Sequence, residues 1–179
     1  MAEPAPDDPV PGLTPSQTVG PFLHLALADP AARFAAPEGT AGGVVVHGVV
    51  LDGDGAPVPD ALVETWQADG RFGRCPTDAD GCWEIHTVVP PPVPTRDGTT
   101  QAPHLAVSVF ARGLLDRVVT RCYFADQIAA NAADPTLLVV PAGRRDRLLA
   151  APDDPSRYRF DIRLQGDEHS DDESVFFDV

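Results

Sequence analysis

At 179 residues the chain has the length of a single domain, enough to bury about 70% of its unfolded surface without disulfides or metal as staples. Its 13 basic residues against 27 acidic ones give a formal net charge of −14, a field that repels nucleic acid and anionic membrane and argues against both as partners. No apolar run approaches the roughly 20 residues that cross a bilayer, and the start MAEPAPDDPVPG lacks the apolar centre of a signal peptide, so the expected location is the cytoplasm.

In chain order, residues 1–13 read as a disordered lead and 14–43 as an arm (14–27) followed by a loop or short helix (28–43). The arm opens with TPSQTVGPF, where Pro15 and Pro21 fix their φ angles and Gly20 frees its own. Residues 44–179 read as the domain proper. VVVHGVVLD (44–52) is β-branched and apolar, GDGAPVPD is a turn, and ALVETWQAD (61–69) alternates, with Leu62, Glu64 and Trp66 on one face. DADG (78–81) turns into CWEIHTVV (82–89), while the proline-rich 90–103 cannot be a central strand. HLAVSVFAR (104–112) and DRVVTRCYF (116–124) predict a hairpin around Gly113, and 125–135 and 142–150 predict short helices. YRFDIRLQG (158–166) alternates cleanly before the acidic DEHSDDE (167–173), and VFFDV predicts a last strand. Short strands with Gly/Pro turns predict an all-β fold, an antiparallel β-sandwich with an N-terminal arm and one or two short helices.

Several chemical signatures fail on inspection. Cys75, Cys82 and Cys122 are odd in number and lack the C-x-x-C spacing of a zinc or redox site, so at least two are expected in the core. DGDG and DADG lack the spaced acids and distal Glu of a calcium loop and are explained by Asx-Gly turns. Ser16 and Ser108 have no Gly-x-Ser-x-Gly setting for a hydrolase nucleophile. The acidic run 167–173 reads as a solvated loop, or as a face for arginines on a partner.

Four blocks in order carry a resemblance: TPSQTVGPF; GDGAPVPDALVETWQADGRFG; RCPTDADGCWEIHTVVPPPVP; and APHLAVSVFARGL with TRCYFADQ after it. Together with YRFDIRLQG and ESVFFD they are similar to the intradiol ring-cleavage dioxygenases, and most of all to the metal-free α chains of the two-chain members that act on protocatechuate. The family's catalytic chain holds ferric iron with two Tyr and two His, a donor set that suits Fe(III). Set against that pattern, Phe72 stands where the first Tyr belongs, Val93 at the second Tyr and Ala106 at the second His, leaving His104 as a remnant. The resemblance therefore implies no catalytic residue and no metal in this chain. It implies an iron(III)-bearing β chain as partner in a hetero-oligomer, with protocatechuate and O₂ as substrates and 3-carboxy-cis,cis-muconate as product. It also implies that Thr18, Gly20 and Pro21 of the arm and Arg112 of the hairpin line the shared pocket, Arg112 facing the substrate carboxylate. Phe22 stands where the family's α arm often has an aromatic hydroxyl. For Arg112 the residues alone equally allow a hairpin-end pairing with a nearby carboxylate. A non-enzymatic transthyretin-like or carboxypeptidase-regulatory-like β-sandwich module is the alternative for the whole chain.

Overall fold

The structure, a computed structural model, describes residues 12–20, 22–166 and 172–178. Its strands are β1 (Gly43–Leu51), β2 (Leu62–Trp66), β3 (Phe72–Pro76), β4 (Cys82–Val88), β5 (Val93–Pro94), β6 (Thr100–Gln101), β7 (His104–Phe110), β8 (Val118–Phe124), β9 (Leu149–Asp154), β10 (Arg157–Arg159) and β11 (Ile162–Arg163). Short helices α1 (Leu23–Leu27), α2 (Ile128–Ala133) and α3 (Pro135–Val139) and two 3₁₀ turns, Pro30–Arg33 and Ala142–Leu148, complete it. Alternation drives the strands: in β7, Leu105, Val107 and Val109 are buried while His104, Ala106 and Ser108 face outward. Asx turns make the two Asp-Gly loops. The Asp52 carboxylate accepts the N–H groups of Asp54 (3.0 Å) and Ala56 (2.8 Å), and Asp78 accepts those of Asp80 and Cys82, both at 2.9 Å.

All the strands except β5 and β6, which pair with each other, form one mixed sheet bent around a main core, and a smaller buried cluster gathers Tyr123, Leu137 and Leu148. On one side β4 pairs antiparallel with β1, and β1 runs parallel to β10 and β11; on the other the order is β9-β8-β7-β2-β3. Val46 and Val50 of β1, Trp83 and Ile85 of β4, Val63 of β2, Leu105 and Val107 of β7 and Phe124 of β8 meet in that core, and their burial is the main stabilising term. Cys75 and Cys122 are buried among them and Cys82 is exposed.

The purely antiparallel sandwich expected from the turns is corrected by the register. β1 is parallel to β10 and β11, and β8 is parallel to β9. A parallel neighbour needs a long crossover, and α2, α3 and the Ala142–Leu148 turn supply it between β8 and β9. The second expected helix, 142–150, is thus a 3₁₀ turn that passes into β9. The alternating run 158–166 is split because the Asp161 carboxylate, not a backbone carbonyl, accepts the Val49 N–H (3.1 Å). At that break Gly48 is required: a Cβ there would lie 1.9 Å from the Phe160 carbonyl oxygen. The C-terminal segment forms no assigned strand in 172–178; it is held by single bonds, including Phe177 N–H to the Val119 carbonyl at 2.8 Å.

Candidate functional site

Two regions bear on function, and the first is the outer face of β3-β2-β7-β8. Register aligns Phe72 with Trp66, Trp66 with Ala106, and Ala106 with Arg121. Three of the four positions where the resemblance looks for iron ligands, Phe72, His104 and Ala106, therefore share this face, with Val93 on the separate β5–β6 hairpin. The Trp66 and Phe72 rings pack with centroids 4.6 Å apart, and the Arg74 guanidinium sits 5.2 Å over Phe72. Trp66 stays 52% exposed.

His104 is committed elsewhere. Its Nδ1 lies 2.8 Å from the Ala102 carbonyl, which makes Nδ1 the protonated nitrogen, and its ring packs on Tyr123 at 5.2 Å. Burial pushes its pKa down, so the neutral form is favoured. Beneath it Tyr123 is buried and donates its hydroxyl to Asp134 at 3.2 Å, and desolvation raises its pKa to about 12. Tyr158 binds Asp126 (2.8 Å) and is likewise raised to about 12, chiefly by desolvation. Phe, Val and Ala carry no donor atoms. Among the described residues no group of three or more His, Cys, Asp or Glu is placed to hold a metal ion. The residues present do not fit the family's iron.

The second region is the arm against the β7–β8 loop. The Thr18 hydroxyl oxygen accepts the Gly113 N–H at 2.8 Å, and the Ser16 hydroxyl reaches the Asp116 carboxylate at 3.5 Å. Gly113, at φ +88°, holds the left-handed turn that lets its N–H face the arm. Val19 lines a cleft of about 190 Å³ with Phe110, Leu114 and Leu115. Arg112, immediately before Gly113, forms an ion pair from Nε to the Asp60 carboxylate. Thr18 and Arg112 are thus brought to one loop although 94 positions separate them in sequence (112 − 18). Gly20 accepts the Leu23 N–H at 3.1 Å, has no positive φ, and has open space where a Cβ would be. Nothing among the described residues requires glycine there. Pro21 lies outside the described residues.

Asp60 is the residue that sequence reading missed. Its signal lay in the register of two strands, invisible until β2 and β7 are paired. The acidic run was expected as a loop; residues 167–171 lie outside the described residues, but Asp172 pairs with Arg163 and its carbonyl accepts from Arg147 at 3.0 Å. Arginines of this same chain hold that end. Elsewhere, a cleft of about 520 Å³ is lined by Arg33, His47, Glu84 and Arg159. Its basic side chains lie against carboxylates: Arg33 on Glu84 (3.0 Å), His47 on Asp153 (2.8 Å) and Arg159 on Asp161 (2.9 Å). Among the described residues no helix is long and apolar enough to cross a membrane.

No model of a known protein family matches the chain. It is 39% identical over 196 residues to the protocatechuate 3,4-dioxygenase alpha chain of Pseudomonas putida, covering 92% of this chain and 96% of that one. With the alpha chain of Burkholderia cepacia the identity is 42% over 200 residues, covering 93% and 97%. The Burkholderia cepacia beta chain is 32% identical over 174 residues, covering 84% of this chain and 69% of the beta chain. Among solved structures, the dioxygenase domain of a carbohydrate-binding fusion from Streptomyces sp. SirexAA-E superposes with a TM-score of 0.57 at 23% identity, over 89% of this chain and 99% of that one. Catechol 1,2-dioxygenase from Acinetobacter sp. ADP1 superposes with a TM-score of 0.54 at 18% identity, over 74% and 56%. Those two likenesses are of fold. Nothing in these comparisons supports a non-enzymatic transthyretin-like or carboxypeptidase-regulatory-like module. By its identity to the alpha chains along nearly its whole length, the chain belongs to the intradiol ring-cleavage dioxygenase family, among the protocatechuate 3,4-dioxygenase alpha chains.

Proposed function

We propose that this chain is the metal-free half of a cytoplasmic, hetero-oligomeric enzyme and completes the substrate pocket of an iron(III)-bearing β chain. The reaction inserts both atoms of O₂ into protocatechuate between its two hydroxyl-bearing carbons, giving 3-carboxy-cis,cis-muconate. The ferric ion and its chemistry belong to the β chain. This chain contributes recognition: in the N-terminal arm and loop of residues 14–43 the arm, 14–27, reaches the partner with Thr18, Gly20 and Pro21, and residues 44–179 are the domain that presents Arg112.

The reading is carried by one observation, the convergence of Thr18 and Arg112 on either side of Gly113, in a chain whose relatives along nearly its whole length are alpha chains. Electrostatics support it. A substrate carboxylate approaching a chain of net charge −14 needs a local cation, and guanidinium offers a planar fork of donors that a lysine lacks. Gly20 keeps its Cβ position open toward solvent, which leaves room for a partner's atoms.

The test compares two ligands of the assembled α–β complex. Arg112→Ala is expected to weaken protocatechuate binding by about 1.5–3 kcal/mol, the worth of a charged hydrogen bond, and to change catechol binding, which involves no carboxylate, far less. Equal losses for both ligands would overturn the assignment of Arg112.

A further inference from the structure

Asp60 lies on the turn before β2 and Arg112 on the loop after β7, and the sheet sets them face to face. Leu62 pairs with Phe110 in the β2–β7 ladder, so the residue two before Leu62 opposes the residue two after Phe110. The Asp60 side chain is only 12% exposed, whereas that of Arg112 is 59% exposed. The carboxylate contact takes Nε, on one edge of the guanidinium, and among the described residues Arg112 has no other recorded partner. The same loop is fixed from its other side by the Thr18–Gly113 bond of 2.8 Å.

We propose that Asp60 is a positioning residue for Arg112: it fixes one edge of the guanidinium so that the terminal amino groups face outward, toward the carboxylate of an aromatic acid held in the partner's pocket. The inference rests on the assignment of Arg112 made above. A free arginine at a loop end is spread over many rotamers, and ordering it on binding subtracts from affinity. A carboxylate opposite it, itself mostly buried and placed by sheet register, performs that ordering before the ligand arrives. Asp60 also carries a negative charge that repels the same ligand. Its presence helps binding only because orientation outweighs repulsion, and the sign of its removal separates the two effects.

In the α–β complex, Asp60→Ala is expected to raise the protocatechuate Kd about 5- to 20-fold while moving catechol binding by less than about 2-fold, in keeping with the cost of an unordered side chain. The turnover number at saturating substrate stays near the parent value. Asp60→Asn, which keeps the shape of the side chain and an oxygen beside Nε, recovers most of the affinity. In the Arg112→Ala background, Asp60→Ala causes no further loss and, with the repelling charge gone, a small gain, because residues acting through one contact are not additive. Should Asp60→Ala fail to assemble, Asp60→Ser, too short to reach Nε, takes its place with the same expectation. Unchanged or tighter protocatechuate binding in the Asp60 variant, or an equal loss for catechol, would overturn the proposal. If Arg112→Ala itself shows no ligand selectivity, the fault lies with the Arg112 assignment and the Asp60 proposal falls with it. If Arg112→Ala is selective and Asp60→Ala is silent, the fault lies with Asp60 alone.

Discussion

His104 shows how a buried imidazole is held in a sheet by its own neighbours. Its Nδ1 is spent on the Ala102 carbonyl and its ring is packed on Tyr123, so the imidazole is a structural hydrogen-bond donor. Burial lowers its folded-state pKa below the ordinary value near 6.5. The unfolded chain therefore takes up a proton that the folded chain refuses. The stability it contributes is complete above about 6.5 and is lost as the pH falls below that value toward the folded pKa. Melting curves of the full chain from pH 7.5 to 5 are expected to shift down more for the parent than for His104→Asn, which keeps a donor but does not titrate. Identical slopes would mean that His104 does not differ between the two states. At this scale the sequence was only partly legible. The donor-free positions Phe72, Val93 and Ala106 could be read directly, since no structure gives those side chains a ligand atom. Asp60 and the partner of His104 could not, because both depend on atoms distant in sequence.

At the scale of elements, the crossover between β8 and β9 is organised by Asp134. Its side chain is fully buried and caps α3 by accepting the N–H groups of Thr136 and Leu137, both at 2.8 Å. It also accepts the Ala102 N–H (2.7 Å) and the Tyr123 hydroxyl (3.2 Å). Four donors satisfy a carboxylate that burial alone would expel. Asp134→Ala is expected to cost about 2–4 kcal/mol, a lost cap plus buried donors left without partners, read as a lower denaturant midpoint at unchanged slope; a cost under about 0.5 kcal/mol would refute the role. The dipeptide Asp134-Pro135 is a helix-start signal, cap then proline at the first turn, yet sequence reading placed it at the end of the 125–135 helix. The strands β1, β2, β4, β7 and β8 were legible to within a few residues, whereas the cleanly alternating 158–166 was read as one strand and is two, β10 and β11. The parallel pairings were not legible, because alternation specifies which face a residue takes and says nothing about the direction of its neighbour.

At the scale of the whole molecule, the account divides one active site between two related chains. This chain's fold resembles that of intradiol dioxygenases, and the outer face of its β3-β2-β7 strands presents Phe72, Trp66 and Ala106. The proposed role asks of this acidic chain only a pinned arm and Arg112 as a local cation for an anionic substrate, and the donor-free Phe72, Val93 and Ala106 are poorly suited to holding Fe(III). The most direct measurement is iron content and protocatechuate turnover for this chain expressed alone and co-expressed with its β chain. The account predicts no tightly bound iron and no turnover for the chain alone, and ferric iron with ring cleavage for the co-expressed pair. Stoichiometric ferric iron, or turnover, in the isolated chain would contradict it.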